Sequence, residues 1–275
     1  MKRTNPPCPR CRGHTNRNGS LKIEKEKSQK YLCTECRAYF STFTNTIFFE
    51  KAFPSQLVAL AVELKVQFGL SLRQVQQVLK HFHDKVPSLA TLSLWTNQLQ
   101  NVQLPKVEFS NVWHVDEVFI KHQKRLPEGG NLTWFTYLWV VSDSKQNLLA
   151  LLHSNKRDTQ SAIAVLEKAR QQAGFVPRVL VSDKYCVYQC AVAKALPKAL
   201  HVQAHFEPKC FVWQNEAWAL SNNPAESLNS RLRWRLKGIR GLNKARNSFL
   251  DGLQLVWNNR FTQSLARALL QSINA

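Results

Sequence analysis

The sequence predicts a chain of mixed α/β or α+β class, with a sheet-containing core behind two small N-terminal modules. Three observations lead to this prediction: paired cysteines near the N-terminus, apolar residues at helical spacing after them, and strand patterns that alternate with helices from Val112 onward. A chain of 275 residues, 44% of them hydrophobic, can bury the cores of one to three domains. We expect the domains to span 1–45, 50–104 and 110–265.

The first module contains two CxxC motifs with 21 residues between them. Four thiolates at this spacing complete a tetrahedral zinc site, which is structural because protein ligands fill every position. So short a segment cannot bury a useful core, and one Zn²⁺ would supply its folding energy. Asn18-Gly19 predicts a hairpin turn between the motifs, and redox-active cysteine pairs are the alternative. The ligands of this predicted zinc ribbon are Cys8, Cys11, Cys33 and Cys36.

The second module has three helical patterns. The first begins at Pro54, and Ser71 and Ser88 can cap the second and third. Three short helices with tight turns are typical of a helix-turn-helix, whose last helix reads DNA. A plain helical linker is the alternative, because residues 86–105 contain no Lys or Arg. The polar side chains expected on the free face of the third helix, where they can bond base edges, are Thr91, Thr96, Asn97, Gln98 and Gln100.

From Val112 the pattern changes to strands and longer helices. Their order, β-β-β-α-β-α-β-α, describes the ribonuclease H-like fold, in which the first and fourth strands are neighbours. The predicted strands are 113–120, 132–142, 147–153, 178–182 and 201–206, and the helices between them are 158–173 and 188–196.

The net charge of +20 and a pI near 10 indicate a polyanionic partner, usually nucleic acid. The charge concentrates at the ends: residues 1–51 hold 11 Lys+Arg against 4 Asp+Glu, and residues 221–275 hold 9 against 2. No apolar run approaches the ~18–20 residues that cross a bilayer, and the N-terminus does not look like a signal peptide. Seven cysteines, an odd number, fit a reducing cytoplasm. Three lack a fourth partner at metal spacing and are expected in the core, namely Cys186, Cys190 and Cys210.

Three carboxylates occupy well-defined settings in the predicted core. Asp116 lies inside an apolar strand, Asp183 ends another, and Glu226 opens a helix that quickly turns basic. Three such acids, brought together by a fold, can hold two divalent metal ions for phosphoryl transfer. Glu226 has a structural alternative, because Asn223 at the N-cap and Pro224 at N1 would make it a capping-box residue. Four other acids fit less well, namely Asp143 in a turn, Glu117 on the opposite strand face, and Glu207 and Glu216 outside the Asn-x-x-Glu context.

Four motifs occur together in this region: WHVDE at 113–117, TYLWVVSD at 136–143, VLVSDKY at 179–185 and NNPAESLNSRLRWRLKGIRGL at 222–242. With them the sequence resembles the insertion-sequence transposases of the D,D-E class, which share a retroviral-integrase-like core. The resemblance implies that Asp116, Asp183 and Glu226 bind two Mg²⁺ or Mn²⁺ ions. It also implies hydrolysis of a phosphodiester, followed by transesterification in which the freed 3′-hydroxyl attacks target DNA.

The partners implied by this resemblance are double-stranded DNA at the terminal inverted repeats and at the target. We expect a homodimer or larger assembly in the complex with DNA, a cytoplasmic, nucleoid-associated location and no membrane partner. Two alternatives stay open. One is a ribonuclease H-like nuclease that hydrolyses without joining, and the other is a domesticated, non-catalytic DNA-binding regulator.

The helix after Glu226 predicts phosphate contacts. The cations from Arg231 to Lys237 follow one another at intervals of two residues, and each interval turns ~200° around the helix axis. They therefore cannot all face one groove. Arg233 lies seven residues beyond Glu226, on roughly the same face, and we expect it to touch the scissile strand. A solvated helix surface is the alternative. The predicted DNA contacts are Arg231, Arg233, Arg235, Lys237 and Arg240.

Overall fold

The computed structural model describes residues 5–23, 26–44, 47–48, 52–101, 107–204, 207–213, 216–237, 247–258 and 269. The chain divides into two compact units. The first comprises Met1–Pro105 with Asn259–Ala275, and the second comprises Lys106–Asn258. In the described part of the chain, no helix combines the length and apolar character that a membrane crossing requires.

The first unit begins with a three-stranded antiparallel sheet in the order β1-β2-β3. Its strands are β1 (Thr15–Ile23), β2 (Glu26–Cys33) and β3 (Tyr39–Ser41). The predicted hairpin is present, but the prediction that its turn lies at Asn18-Gly19 is wrong. Pairing continues to Ile23 opposite Glu26, and the register shifts between Arg17 and Ser20. Gly19, with φ of 79°, lies in this bulge, where a positive φ suits glycine.

Three short helices follow in the same unit: α1 (Ser55–Val66), α2 (Leu72–Phe82) and α3 (Leu89–Asn97). Both predicted caps are confirmed. The hydroxyl of Ser71 accepts from the backbone N–H of Gln74 within a capping box, and that of Ser88 accepts from Thr91. Val75 and Leu79 of α2 and Leu92 and Trp95 of α3 are buried at helical spacing.

The second unit is built on a five-stranded mixed sheet whose order is β6-β5-β4-β7-β8. β4 is antiparallel to β5 and parallel to β7, so the expected neighbourhood of the first and fourth core strands is confirmed. This sheet with its helices fits the predicted ribonuclease H-like core. Its elements are β4 (Val112–Arg125), β5 (Asn131–Asp143), β6 (Leu148–Ser154), α4 (Thr159–Ala173), β7 (Val179–Ser182), α5 (Val187–Ala195) and β8 (Leu200–Gln203).

Helices cover both faces of this sheet, and alternation along β4 decides which side chain meets which helix. Val115 points to one face, where it joins a buried cluster with Trp139 and residues of α4 and α5. Asp116 points to the other face and meets Asn229 of α6 (Asn223–Lys237). A further helix, α7 (Asn247–Asn258), packs on β6. The sheet therefore carries its main apolar core on the Val115 side and places Asp116 on the other.

The connection between β8 and α6 contains a two-stranded antiparallel hairpin, β9 (Lys209–Trp213) and β10 (Glu216–Leu220). This hairpin lengthens the sequence between Asp183 and Glu226. The positions of the two acids are set by β7 and α6, not by the hairpin.

The prediction that three cysteines lie in the core is wrong, because Cys186, Cys190 and Cys210 are all exposed. The first two lie one turn apart at the start of α5, and the inward side of that helix is formed by Tyr188, Ala191 and Ala195. The apolar residues of α5 therefore do form a buried side of the helix, but the two thiols are not on that side.

Candidate active site and zinc site

Three predicted acids line one cleft of 340 Å³ in the second unit. Asp116 comes from β4, Asp183 directly follows the neighbouring parallel strand β7, and Glu226 lies in the first turn of α6. Sheet topology brings the two aspartates together, and the packing of α6 on β4 adds the glutamate. The full lining is Asp116, Glu117, Phe119, Arg157, Asp183, Asn222, Glu226 and Arg233.

Asp116 is half-buried and held on both carboxylate oxygens. Its Oδ1 accepts from the backbone N–H of Glu117 at 2.9 Å, and its Oδ2 accepts from Nδ2 of Asn229 at 2.8 Å. Burial, together with the negative charges of Glu117 and Asp183, raises the pKa of Asp116 to about 7. A cation in the cleft would favour the ionised carboxylate that this environment otherwise disfavours.

The other two acids are half-buried at the same cleft. Oδ1 of Asp183 accepts from the backbone N–H of Tyr185 at 2.9 Å. The backbone N–H of Glu226 donates to the carbonyl of Asn222 at 3.1 Å, which is the first α-helical bond of α6. The N-cap is therefore Asn222, one residue before the expected Asn223, and Glu226 moves out of the N3 position that a capping box requires.

Asn229 is a site residue that the sequence analysis missed. It is buried, three residues beyond Glu226 on the same helix face, and its amide binds Asp116. Its Oδ1 is also buried, and no hydrogen-bond partner for it occurs among the described residues. The spacing of three residues from Glu226, which places Asn229 on the same helix face, is the sequence feature that could have indicated it.

A second missed feature is the pairing of Glu117. Its carboxylate is buried and forms an ion pair with Arg157, and it accepts a hydrogen bond from the Tyr188 hydroxyl. The Arg157 guanidinium also lies 3.7 Å from the ring centre of Tyr185. These contacts join residues that are 40 and 71 positions apart, so no local pattern predicts them. They occupy both carboxylate oxygens of Glu117 and leave it unsuited to replace Asp116 as a ligand.

The basic residues of α6 divide between two surfaces, as the predicted spacing requires. Arg233 is exposed and lines the cleft with Glu226. Arg231 and Arg235 instead place their guanidinium groups 5.2 and 4.9 Å from the Trp257 ring centre in α7. Arg231 also donates to the side chain of Gln146.

Four further predicted DNA contacts have different outcomes. Lys237 is the last residue of α6, and Arg240 lies outside the described residues. Thr96 is a correction: it is buried, and its hydroxyl donates to the backbone carbonyl of Ser93 at 2.9 Å, so it is not on a free helix face. Asn97, the last residue of α3, is half-buried.

The four N-terminal cysteines converge in the first unit. Their Sγ atoms all lie within 4.8 Å of one another, with Cys8 to Cys36 at 3.6 Å and Cys11 to Cys33 at 3.4 Å. Four sulfurs at about 2.3 Å from one ion lie about 3.8 Å apart, so this set fits tetrahedral Zn²⁺. The backbone N–H of Cys11 lowers the pKa of the Cys8 thiol to about 7, whereas the neighbouring sulfurs of Cys33 and Cys36 raise the pKa of the Cys11 thiol to about 12. A bound cation would therefore be needed to hold both as thiolates.

Comparison with known proteins agrees with this geometry. Residues 110–262 match the family model for the DDE domain of IS240-type transposases, and this match covers more than half of the 275-residue chain. No curated protein matches the chain at a significant level. The matched region contains the five-stranded sheet, all three cleft acids and α6. The chain therefore belongs to the DDE-class insertion-sequence transposases.

Proposed function

We propose that this transposase cleaves DNA at the ends of its element and joins the freed 3′-hydroxyl to target DNA, with Asp116, Asp183 and Glu226 as its catalytic acids. The observation that carries this proposal is the meeting of the three carboxylates with Arg233 in one cleft. Phosphoryl transfer needs negative ligands for metal ions and a positive group for the phosphate, and this cleft lining supplies both.

The cleft residues fit a pair of Mg²⁺ or Mn²⁺ ions. Carboxylate oxygens are the ligands that these cations prefer. Asp116, Asp183 and Glu226 line the same cleft and would together hold the pair. When bound, the ions supply activation of the attacking hydroxyl and stabilisation of the leaving oxygen.

The remaining residues have positioning roles. The Asn229 amide and the Glu117 backbone N–H fix both oxygens of Asp116, so the direction of that carboxylate is set before substrate binds. Arg233 would contact a non-bridging oxygen of the scissile phosphate or the phosphate beside it. Arg157 is engaged with Glu117 and supports the cleft wall.

The N-terminal unit would read the terminal inverted repeats. We propose a zinc ribbon at 1–45, with one structural Zn²⁺ on Cys8, Cys11, Cys33 and Cys36, and a helix-turn-helix at 50–104 ahead of the catalytic domain at 110–265. A homodimer or larger assembly would bring two ends together, in a cytoplasmic, nucleoid-associated complex. Capped helices α2 and α3 and the cysteine cluster support this reading.

The testing experiment incubates purified protein with Mg²⁺, a labelled duplex that carries the terminal repeat, and a target plasmid. We expect a nicked repeat end followed by a covalent product that joins the label to the plasmid. Hydrolysis without the joined product would identify the nuclease alternative. Specific repeat binding without cleavage, in Mg²⁺ and in Mn²⁺, would identify the regulator.

A further inference from the structure

The hairpin of β4 and β5 extends past its neighbouring strands. Pairing of β5 with β6 starts at Tyr137, and β7 pairs with β4 only from Val112 to His114. Within the described chain, the hairpin beyond Phe119 and Tyr137 is therefore a two-stranded arm. Its large apolar side chains are exposed to an unusual degree, with values of 46% for Phe119, 52% for Leu132, 37% for Trp134 and 47% for Phe135.

The strand register sorts these side chains onto two faces. Phe135 is directly opposite Lys121, Phe119 is opposite Tyr137, and Arg125 is opposite Asn131. Residues two apart on a strand share a face, so Phe119, Lys121, Arg125 and Phe135 lie on one side of the arm. We call these four residues the arm face. It places two aromatic rings beside two cations, and all four side chains are exposed.

The arm face begins at the active-site cleft. Phe119 lies on the opposite face of β4 from Asp116, but both side chains line the cleft, which lies at the edge of β4 that β7 no longer covers beyond His114. The Arg157 guanidinium, another part of the cleft wall, lies 4.9 Å from the Phe119 ring centre. A DNA strand whose phosphate is held near the three acids can therefore continue over Phe119 toward Lys121 and Phe135.

We propose that the arm face binds unpaired nucleotides of the DNA strand that enters the cleft, with bases stacked on Phe119 and Phe135 and phosphates near Lys121 and Arg125. This inference rests on the proposed function. Base–aromatic stacking next to a basic track is how proteins hold single strands without reading their sequence.

Two other occupants fit the arm face less well. A second copy of this chain would bring its own Lys121 and Arg125 and add like charges. Paired DNA would satisfy the cations, but its bases are already stacked on one another, so the exposed rings would gain little. Unpaired DNA supplies both a negative backbone and free base faces.

The test compares two labelled duplexes by fluorescence anisotropy, using full-length protein without Mg²⁺. One duplex ends bluntly at the terminal repeat, and the other carries a short oligothymidine overhang on the strand that enters the cleft. We expect the parent protein to prefer the overhang by on the order of 5- to 100-fold in Kd. Phe135→Ala should reduce this preference to about one while leaving blunt-end affinity unchanged, and Phe135→Trp should keep it.

Leu132→Ala is the matched control, because Leu132 is 52% exposed on the opposite side of the same arm and should not affect the overhang preference. An unchanged preference in Phe135→Ala would overturn the inference. A change from dimer to monomer in sedimentation, with the preference retained, would assign the arm face to a second copy and also overturn it. If the parent cleaves and joins ends but has no overhang preference, only this inference fails. If it binds neither duplex, the proposed function fails with it.

Discussion

Replacing Asp116 by Asn should stabilise the protein in the absence of Mg²⁺ at alkaline pH while it removes activity. The pKa of Asp116 is raised from 3.8 to about 7 by burial and by the charges of Glu117 and Asp183. Each pH unit between those values corresponds to about 1.4 kcal/mol, so ionised Asp116 costs the fold about 4 kcal/mol at pH 8. An uncharged Asn avoids that cost.

The hydrogen bonds around the site allow this substitution. The amide oxygen of the introduced side chain can still accept from the Glu117 N–H. Its amide nitrogen would face the Asn229 amide, which can turn so that the Asn229 Oδ1, buried and without a partner among the described residues, becomes the acceptor. One side-chain hydrogen bond between positions 116 and 229 is therefore replaced by another. The main change is the loss of the negative charge.

The pH dependence has a definite sign. Between pH 3.8 and 7 the folded protein holds a proton on Asp116 that the unfolded chain has lost, so this group lowers stability as pH rises through that range. Asp116→Asn should match the parent near pH 4 and exceed it by up to about 4 kcal/mol at pH 8. Urea unfolding at both pH values, with zinc retained and no added Mg²⁺, measures the difference.

Mg²⁺ provides the control for this experiment. At pH 8 it should raise the stability of the parent and leave Asp116→Asn unchanged, because the variant lacks the Asp116 carboxylate. The reasoning would be refuted if the variant were less stable than the parent at pH 8, or if the difference were the same at both pH values.

Three further predictions concern the other sites. Asp183→Asn and Glu226→Gln should each abolish cleavage and joining in the strand-transfer assay while repeat binding by gel shift stays nearly intact, and full activity in either would remove that residue from the site. Full-length protein should contain one zinc by metal analysis, Cys33→Ser should lose it, and less than half an equivalent in the reduced parent would count against the ribbon. Arg233→Ala should flatten the slope of log K against log salt by about one, whereas Arg231→Ala, whose guanidinium lies on Trp257, should leave it unchanged. Equal slopes for Arg233→Ala and the parent, with normal joining, would make Arg233 a solvated surface residue.

The sequence predicted the core well because its elements have strong local signals. The alternating strand with Asp116 and the capped helices at Ser71 and Ser88 follow patterns that a few adjacent residues determine. The pairing of the first and fourth strands followed from the ribonuclease H-like fold that the element order describes, and the meeting of Asp116 with Asp183 followed from that pairing. These are the features for which local pattern and tertiary fold agree.

The errors arose where tertiary contacts decide. The Asn18-Gly19 pair satisfies the rule for a tight turn, yet strand pairing continues past it and uses Gly19 in a bulge. Cysteine is commonly buried, but the packed side of α5 is set by Tyr188 and its neighbours, which leaves Cys186 outside. The Glu117–Arg157 pair depends on elements distant in sequence, and nothing in either segment alone indicates it.

The central claim is that Asp116, Asp183 and Glu226 together hold the ions that transfer the phosphoryl group. Anomalous diffraction from crystals of the protein with a repeat-end duplex and Mn²⁺ tests it most directly. We predict two Mn²⁺ peaks about 3.5–4 Å apart, with Asp116, Asp183 and Glu226 among their ligands. Strong peaks that contact none of these three carboxylates, in crystals where the DNA end occupies the cleft, would contradict the claim.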